Sequence, residues 1–150
     1  MNLSQKCQYA FRAIFELAKR YPAGEPASVA EIAEAQAIPA RFLEQILAEL
    51  KQGGYVVARR GAQGGYTLAA APGKLTVGDV IRFVEGPIAP VQCIVEGTES
   101  GCALQECCVF KEFWERAKAA VEKVYDSTTF EDFVEEVAAR VSTRGVNYSI

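Results

Sequence analysis

The stretch PARFLEQILAELKQGGYVVARRGAQGGYTL, residues 39–68, places a helix directly before a hairpin. Pro39 stands where a first helical position needs no donor. Phe42, Leu43, Ile46, Leu47 and Leu50 then recur at spacings of three and four, which predicts a helix with these five residues as its buried stripe. Gly53-Gly54 stops it. Tyr55 to Arg59 has strand composition, Tyr66-Thr67-Leu68 mirrors it, and the glycines of Arg60-Gly61-Ala62-Gln63-Gly64-Gly65 allow a sharp tip between the two.

Upstream, Cys7, Ala10, Phe11, Ile14, Leu17 and Ala18 mark an amphipathic helix that Pro22 and Gly24 end. Ser28-Val29-Ala30-Glu31 reads as a capping box opening a short helix to about Gln36. The order is therefore helix, helix, turn, helix, hairpin. The expected fold is mainly α with a small β-hairpin: a winged helix-turn-helix whose third helix enters a DNA major groove while the hairpin lies on the phosphate backbone. A small helical packing unit would share the helix pattern. Two adjacent arginines at a glycine-rich tip favour the DNA reading, because glycine lets the backbone approach and arginine supplies charge.

Composition agrees when it is divided along the chain. The 150 residues are half apolar and carry a net charge of −3, but residues 1–66 hold eight Lys or Arg against six Asp or Glu, a balance of +2. Residues 67–150 hold eight against thirteen, a balance of −5, so any electrostatic footprint for DNA lies in the N-terminal half. There is no histidine, and no phosphate-binding or nucleophile motif, so an enzyme is not expected. No apolar run reaches the roughly 18 residues of a membrane span, and the first residues show no signal-peptide core. The expected address is the cytoplasm, with no membrane partner.

Further along, Thr76-Val77-Gly78-Asp79 opens a helix through Val84 that Gly86-Pro87 ends. Cys107, Phe110, Trp114, Ala117, Val121 and Val124 follow a heptad rhythm, which predicts a long helix that pairs two copies of the chain, or else packs within its own. A last amphipathic helix runs from Thr129 to about Val141, with a disordered end expected beyond it. The expected division is a DNA-binding domain over residues 1–72, then a sensor loop and dimerisation region over 73–150.

Four of the five cysteines crowd into CIVEGTESGCALQECC, residues 93–108. An odd, bunched set argues for metal or redox chemistry over disulfide stapling. If the long helix already includes Cys107 and Cys108, their side chains point about 100° apart. Cys107 then joins the apolar seam, and Cys93, Cys102 and Cys108 remain as a ligand set. Three loop thiolates suit an iron–sulfur cluster; a zinc site and a metal-free thiol switch are the alternatives.

The whole chain to about residue 137 resembles the Rrf-type family of bacterial winged-helix transcriptional regulators. The resemblance is carried by Met1-Asn2-Leu3-Ser4 with Tyr9 and Ala10, Phe42 to Leu47 with Leu50, Gly54-Tyr55-Val56, and the wing Arg60 to Tyr66. Leu75 to Ile81, Glu85-Gly86, the three cysteines, and Trp114 six residues after Cys108 extend it. It implies a homodimer that binds double-stranded promoter DNA and senses iron–sulfur, redox or nitric-oxide status through a 2Fe-2S or 4Fe-4S cluster on Cys93, Cys102 and Cys108. A cluster-free regulator acting through thiol redox, a small ligand or a partner enzyme is the alternative. By position, Arg41, Glu44 and Gln45 would face base edges, and Arg59, Arg60, Gln63 and Gly64 would form the wing contacts. The family's cluster regulator has a histidine ligand where this chain has Lys111, and its nitric-oxide sensor has an aspartate where this chain has Gln8. A fourth ligand would come from Cys7 or Gln8 of a partner copy, from Glu106 or Glu112, or from a small molecule. Cys7 also fits the apolar stripe of its own helix.

Overall fold

The computed structural model describes residues 2–97, 102–104 and 106–146. The expected disordered end falls partly beyond these, since residues 147–150 lie outside them. Helix α1 (Gln5–Arg20) starts at Ser4, whose side chain accepts from the Cys7 N–H, and a short 3-10 turn at Tyr21–Ala23 ends it before Gly24. Helix α2 (Val29–Gln36) carries the expected capping box in full: Ser28 accepts from the Glu31 N–H and Glu31 reaches back to the Ser28 N–H. A cap of this kind stabilises a helix by about 1 kcal/mol. Helix α3 (Ala40–Gln52) follows after Ala37, a non-glycine residue in the left-handed region at φ 50°.

Strands β1 (Val56–Arg59) and β2 (Gly65–Leu68) pair antiparallel in the register Val56 with Leu68 and Arg59 with Gly65. The hairpin does not stand free. Tyr66 and Ala27 exchange two backbone hydrogen bonds, at 2.8 and 3.0 Å, which tie β2 to the segment entering α2. A Cβ on Gly65 would overlap the Ala27 carbonyl, and its φ of 151° disfavours other residues.

Helix α4 (Val77–Glu85) opens on a second capping box, Thr76 with Asp79. After the cysteine segment come α5 (Lys111–Ser127) and α6 (Phe130–Val146). The main core joins α1 (Ala10, Ala13, Ile14, Leu17) to α3 (Leu43, Ile46, Leu47, Leu50), and the chain beyond residue 72 contributes Leu75, Val80 and the fully buried Phe130. Burying a side chain of that size removes enough apolar surface to stabilise the fold by about 2–3 kcal/mol. The N-terminal and C-terminal halves therefore share one core. No helix among the described residues is long and apolar enough to cross a membrane.

The structure corrects several expectations. Pro39 is the N-cap of α3, not its first residue. Phe42 is not part of the buried stripe: it is 54% exposed, while Leu43, Ile46, Leu47 and Leu50 are buried. At 100° per residue Phe42 sits on the flank of that stripe, facing Tyr9 and Lys6 across a groove. The heptad seam divides. Val121 packs with Tyr125 on the second apolar cluster, around Cys7, Val77, Ile81 and Ile88, while Phe110 and Val124 stay exposed. Helix α6 continues five residues past Val141. Cys107 and Cys108 precede α5 altogether, because its N-cap is Phe110.

Candidate nucleic-acid interface and cysteine site

Two anchors set the pose of α3. Its apolar stripe is locked into the core, and the turn before it is fixed by the Ile38 N–H donating to the Ala33 carbonyl at 3.0 Å. Beneath that turn lies Glu16, the one buried charged side chain identified among the described residues. Gln36, the last residue of α2, donates to its Oε2 at 2.8 Å, and Lys19 and Arg20 pair with it at 2.6 and 3.2 Å. Burial alone would push the Glu16 carboxyl up, but the hydrogen bonds from Lys19, Gln36 and Arg20 outweigh it and hold the group below the usual carboxylate range. Arg20 also reaches Glu31 of the α2 cap at 3.3 Å, so one charged network joins α1 to both ends of α2.

This leaves Arg41, Glu44 and Gln45 exposed on the first turns of α3, opposite the buried stripe. The wing lies in the same half of the molecule. Arg59 ends β1 and donates to the Gly24 carbonyl at 3.4 Å, while Arg60 and Gln63 are exposed at the tip. Gly64 differs from these: it is half-buried, and a Cβ there would overlap the Arg59 carbonyl. Its place in the wing is thus a close backbone approach that shapes the tip. The surface so assembled offers guanidinium, carboxylate and amide groups on a helix, beside a cationic tip. Those are the group types that read base edges and hold phosphates.

Neither Phe42 on the flank of this face nor the anchoring of β2 on Ala27 was anticipated from sequence. Phe42 falls within the apolar spacing, and only its missing neighbours reveal it as surface. The Ala27 pairing joins residues 39 positions apart and leaves no local signal.

The cysteines occupy three environments. Cys7 is fully buried, and its thiol is pushed up to about 11, first by burial, then by the charge of Glu85 and a hydrogen bond to it. Glu85 in turn accepts from the Ser4 backbone N–H at 3.0 Å and from the Ser4 hydroxyl. Cys93 is half-buried in a 3-10 turn, Gln92–Ile94, that packs against α5. Cys102, Cys107 and Cys108 line one open concavity of about 720 Å³ with Glu106 and Lys111.

Of the expected ligands, the structure thus brings Cys102 and Cys108 together, adds Cys107, and leaves Cys93 outside that rim. Among the described residues no three His, Cys, Asp or Glu side chains converge tightly enough for a single metal ion. A sulfide-bridged core of several irons holds its thiolates farther apart than one ion does. The concavity offers three cysteine side chains, the donor type such a core takes.

Residues 3–136 match the Rrf2 family model, described as an iron-dependent transcriptional regulator. The transcriptional regulator CymR of Bacillus subtilis is 39% identical over 132 residues, covering 88% of each chain. Its solved structure, described as the global cysteine regulator of B. subtilis, superposes with a TM-score of 0.75 at 37% identity, over 91% of this chain and 98% of that one. The structure of T. potens IscR gives 0.72 at 35% identity, over 91% and 88%. With helix-turn-helix, wing and cysteine segment all in place and nearly the full length matched, the chain belongs to the Rrf2 family of transcriptional regulators.

Proposed function

We propose that the protein is a homodimeric, DNA-binding transcriptional regulator, with residues 1–72 reading DNA and residues 73–150 sensing and dimerising. The observation that carries this is the exposed Arg41, Glu44 and Gln45 face of α3, held rigidly over a buried stripe and flanked by a wing pinned through Tyr66 and Ala27. Arg41, Glu44 and Gln45 meet base edges; Arg59, Arg60 and Gln63 meet phosphates, with Gly64 shaping the tip. Selection from a random duplex pool tests it. The expected product is a palindrome with half-sites spaced by whole helical turns, and recovery of no preferred sequence refutes the reading.

The sensor in this proposal is the cysteine segment, holding an iron–sulfur cluster with Cys93, Cys102 and Cys108 among its ligands. Support comes from thiol donors without histidine, from the rim that Cys102 and Cys108 share, and from the family's iron dependence. Cys93 has to be drawn onto that rim for all three to serve together. Such a cluster supplies a redox- and nitric-oxide-responsive centre. The protein's own part is to couple the rim to α5, whose first residue, Lys111, lines the same concavity. Anaerobic purification followed by absorption spectroscopy and iron and sulfide assay decides it; protein that stays colourless after reconstitution refutes the cluster.

A second reading, a cluster-free thiol sensor, is favoured by the exposure of Cys102 and Cys107 beside Cys108 and by the similarity to a global cysteine regulator. It predicts oxidant-dependent operator affinity in iron-free protein.

A further inference from the structure

We infer that Cys107 is itself a ligand of the cluster proposed above, supplying a thiolate that the helical reading of the sequence had assigned to packing. The inference rests on the iron–sulfur reading and adds to it. Because α5 begins at Lys111, Cys107 and Cys108 belong to a turn: the Cys107 N–H donates to the Leu104 carbonyl at 3.1 Å, and the Cys108 carbonyl accepts from the Lys111 N–H at 3.3 Å. Neighbouring side chains in a helix diverge by about 100°. In this turn both line the same concavity, together with Cys102.

Exposure excludes packing within the chain's own core, where a cysteine kept as a small hydrophobe is buried, as Cys7 is. Among the remaining rim groups, Lys111 carries an ammonium with no lone pair to offer iron, and Glu106 is a harder donor than a thiolate. Cys107 is thus the best-suited donor on the rim beside Cys102 and Cys108. On ligation its thiol releases a proton to solvent, and no electron transfer is required.

The test uses the full chain, reconstituted anaerobically with ferrous iron and sulfide under a thiol reductant and then desalted. Iron, sulfide and visible absorption are measured for the wild type, C107A, C7A and the double variant C107A/K111H. C107A is expected to keep less than about a fifth of the wild-type iron with an unchanged apo-protein Tm, whereas C7A keeps its full complement whenever it folds. Because Lys111 lies on the same rim, a histidine there presents an imidazole to the same space. The double variant should regain at least about half the iron, with a shifted absorption spectrum. Full iron retention in C107A, or no recovery in the double variant, overturns the assignment of Cys107 and leaves the cluster reading standing. A wild type that takes up no iron overturns both.

Discussion

Arg82 on α4 grips Asp126 on α5 through two parallel hydrogen bonds, Nη1 to Oδ1 at 2.6 Å and Nη2 to Oδ2 at 2.9 Å, and reaches Glu122 at 3.4 Å. The pair bolts the helix that follows the wing to the helix that leaves the cysteine segment. Buried Gly78 makes room for it, since a Cβ there would overlap the Asp126 carboxylate. The contact ties α4 to α5 through a planar, bidentate pair.

Replacing Asp126 by Asn should cost about 0.5–1 kcal/mol in urea unfolding at pH 7, the upper range for a partly exposed pair. The hydrogen bond from Arg82 holds the Asp126 carboxyl below its usual value. Its contribution is therefore present above about pH 3.9 and disappears as the pH falls through the lower folded value. The wild type and D126N should converge in stability below that point; curves that stay parallel to pH 2 would contradict the clamp.

Ala37 adopts φ 50° at the turn between α2 and α3. An L-residue there costs about 1–2 kcal/mol, which glycine avoids while losing part of the gain to greater freedom in the unfolded chain. Ala37→Gly should stabilise the protein by about 0.5 kcal/mol, read from the shift in urea midpoint at constant slope.

The wing arginines differ in restraint: Arg59 reaches the Gly24 carbonyl, and Arg60 is exposed at the tip. Replacing either by Ala should flatten the dependence of log affinity on log salt by about 1 for each phosphate no longer neutralised, with little change in sequence preference. An unchanged slope in the double variant would remove the wing from the interface.

Cys7 should resist alkylation at pH 8 in the folded protein and react only on unfolding, whereas exposed Cys107 is modified at once; mass spectrometry separates the two. The folded thiol titrates near 11, above its unfolded value. Stability is complete below about pH 8.5, the ordinary thiol value, and declines as the pH rises toward 11. Cys7→Ala should flatten this alkaline limb while lowering stability at pH 7 by about 1–2 kcal/mol through the cavity it leaves.

Phe113 is 56% exposed on the face of α5 turned away from α4, on the same side as Val124. If that face pairs two copies, Phe113→Glu should halve the sedimentation mass while leaving the helical content intact. A dimer that survives the charge would move the interface elsewhere.

What was legible in the sequence is what local chemistry dictates. Ser28 and Glu31 announce a cap because their partners lie three residues away, Leu43 to Leu50 announce a buried stripe by period, and the glycines of the tip announce a hairpin. Periodicity could also place Arg41, Glu44 and Gln45 on the opposite arc of the same helix. The same rule misplaced Phe42, because spacing shows which residues share a face but not where the covering surface ends. It misplaced Cys107 as well, because an apolar rhythm does not reveal where a helix starts when no capping side chain marks the place, as at Phe110.

The sequence by itself therefore determined the element order, the family and the thiol-rich, histidine-free chemistry of residues 93–108. Only the tertiary structure decided that Phe130 completes the core of the N-terminal half, that Ala27 pins the wing, and that Cys102, Cys107 and Cys108 share one rim. Each of these joins residues through space, or depends on where a helix begins, and such contacts are fixed by packing the whole chain rather than by the preferences of any short segment.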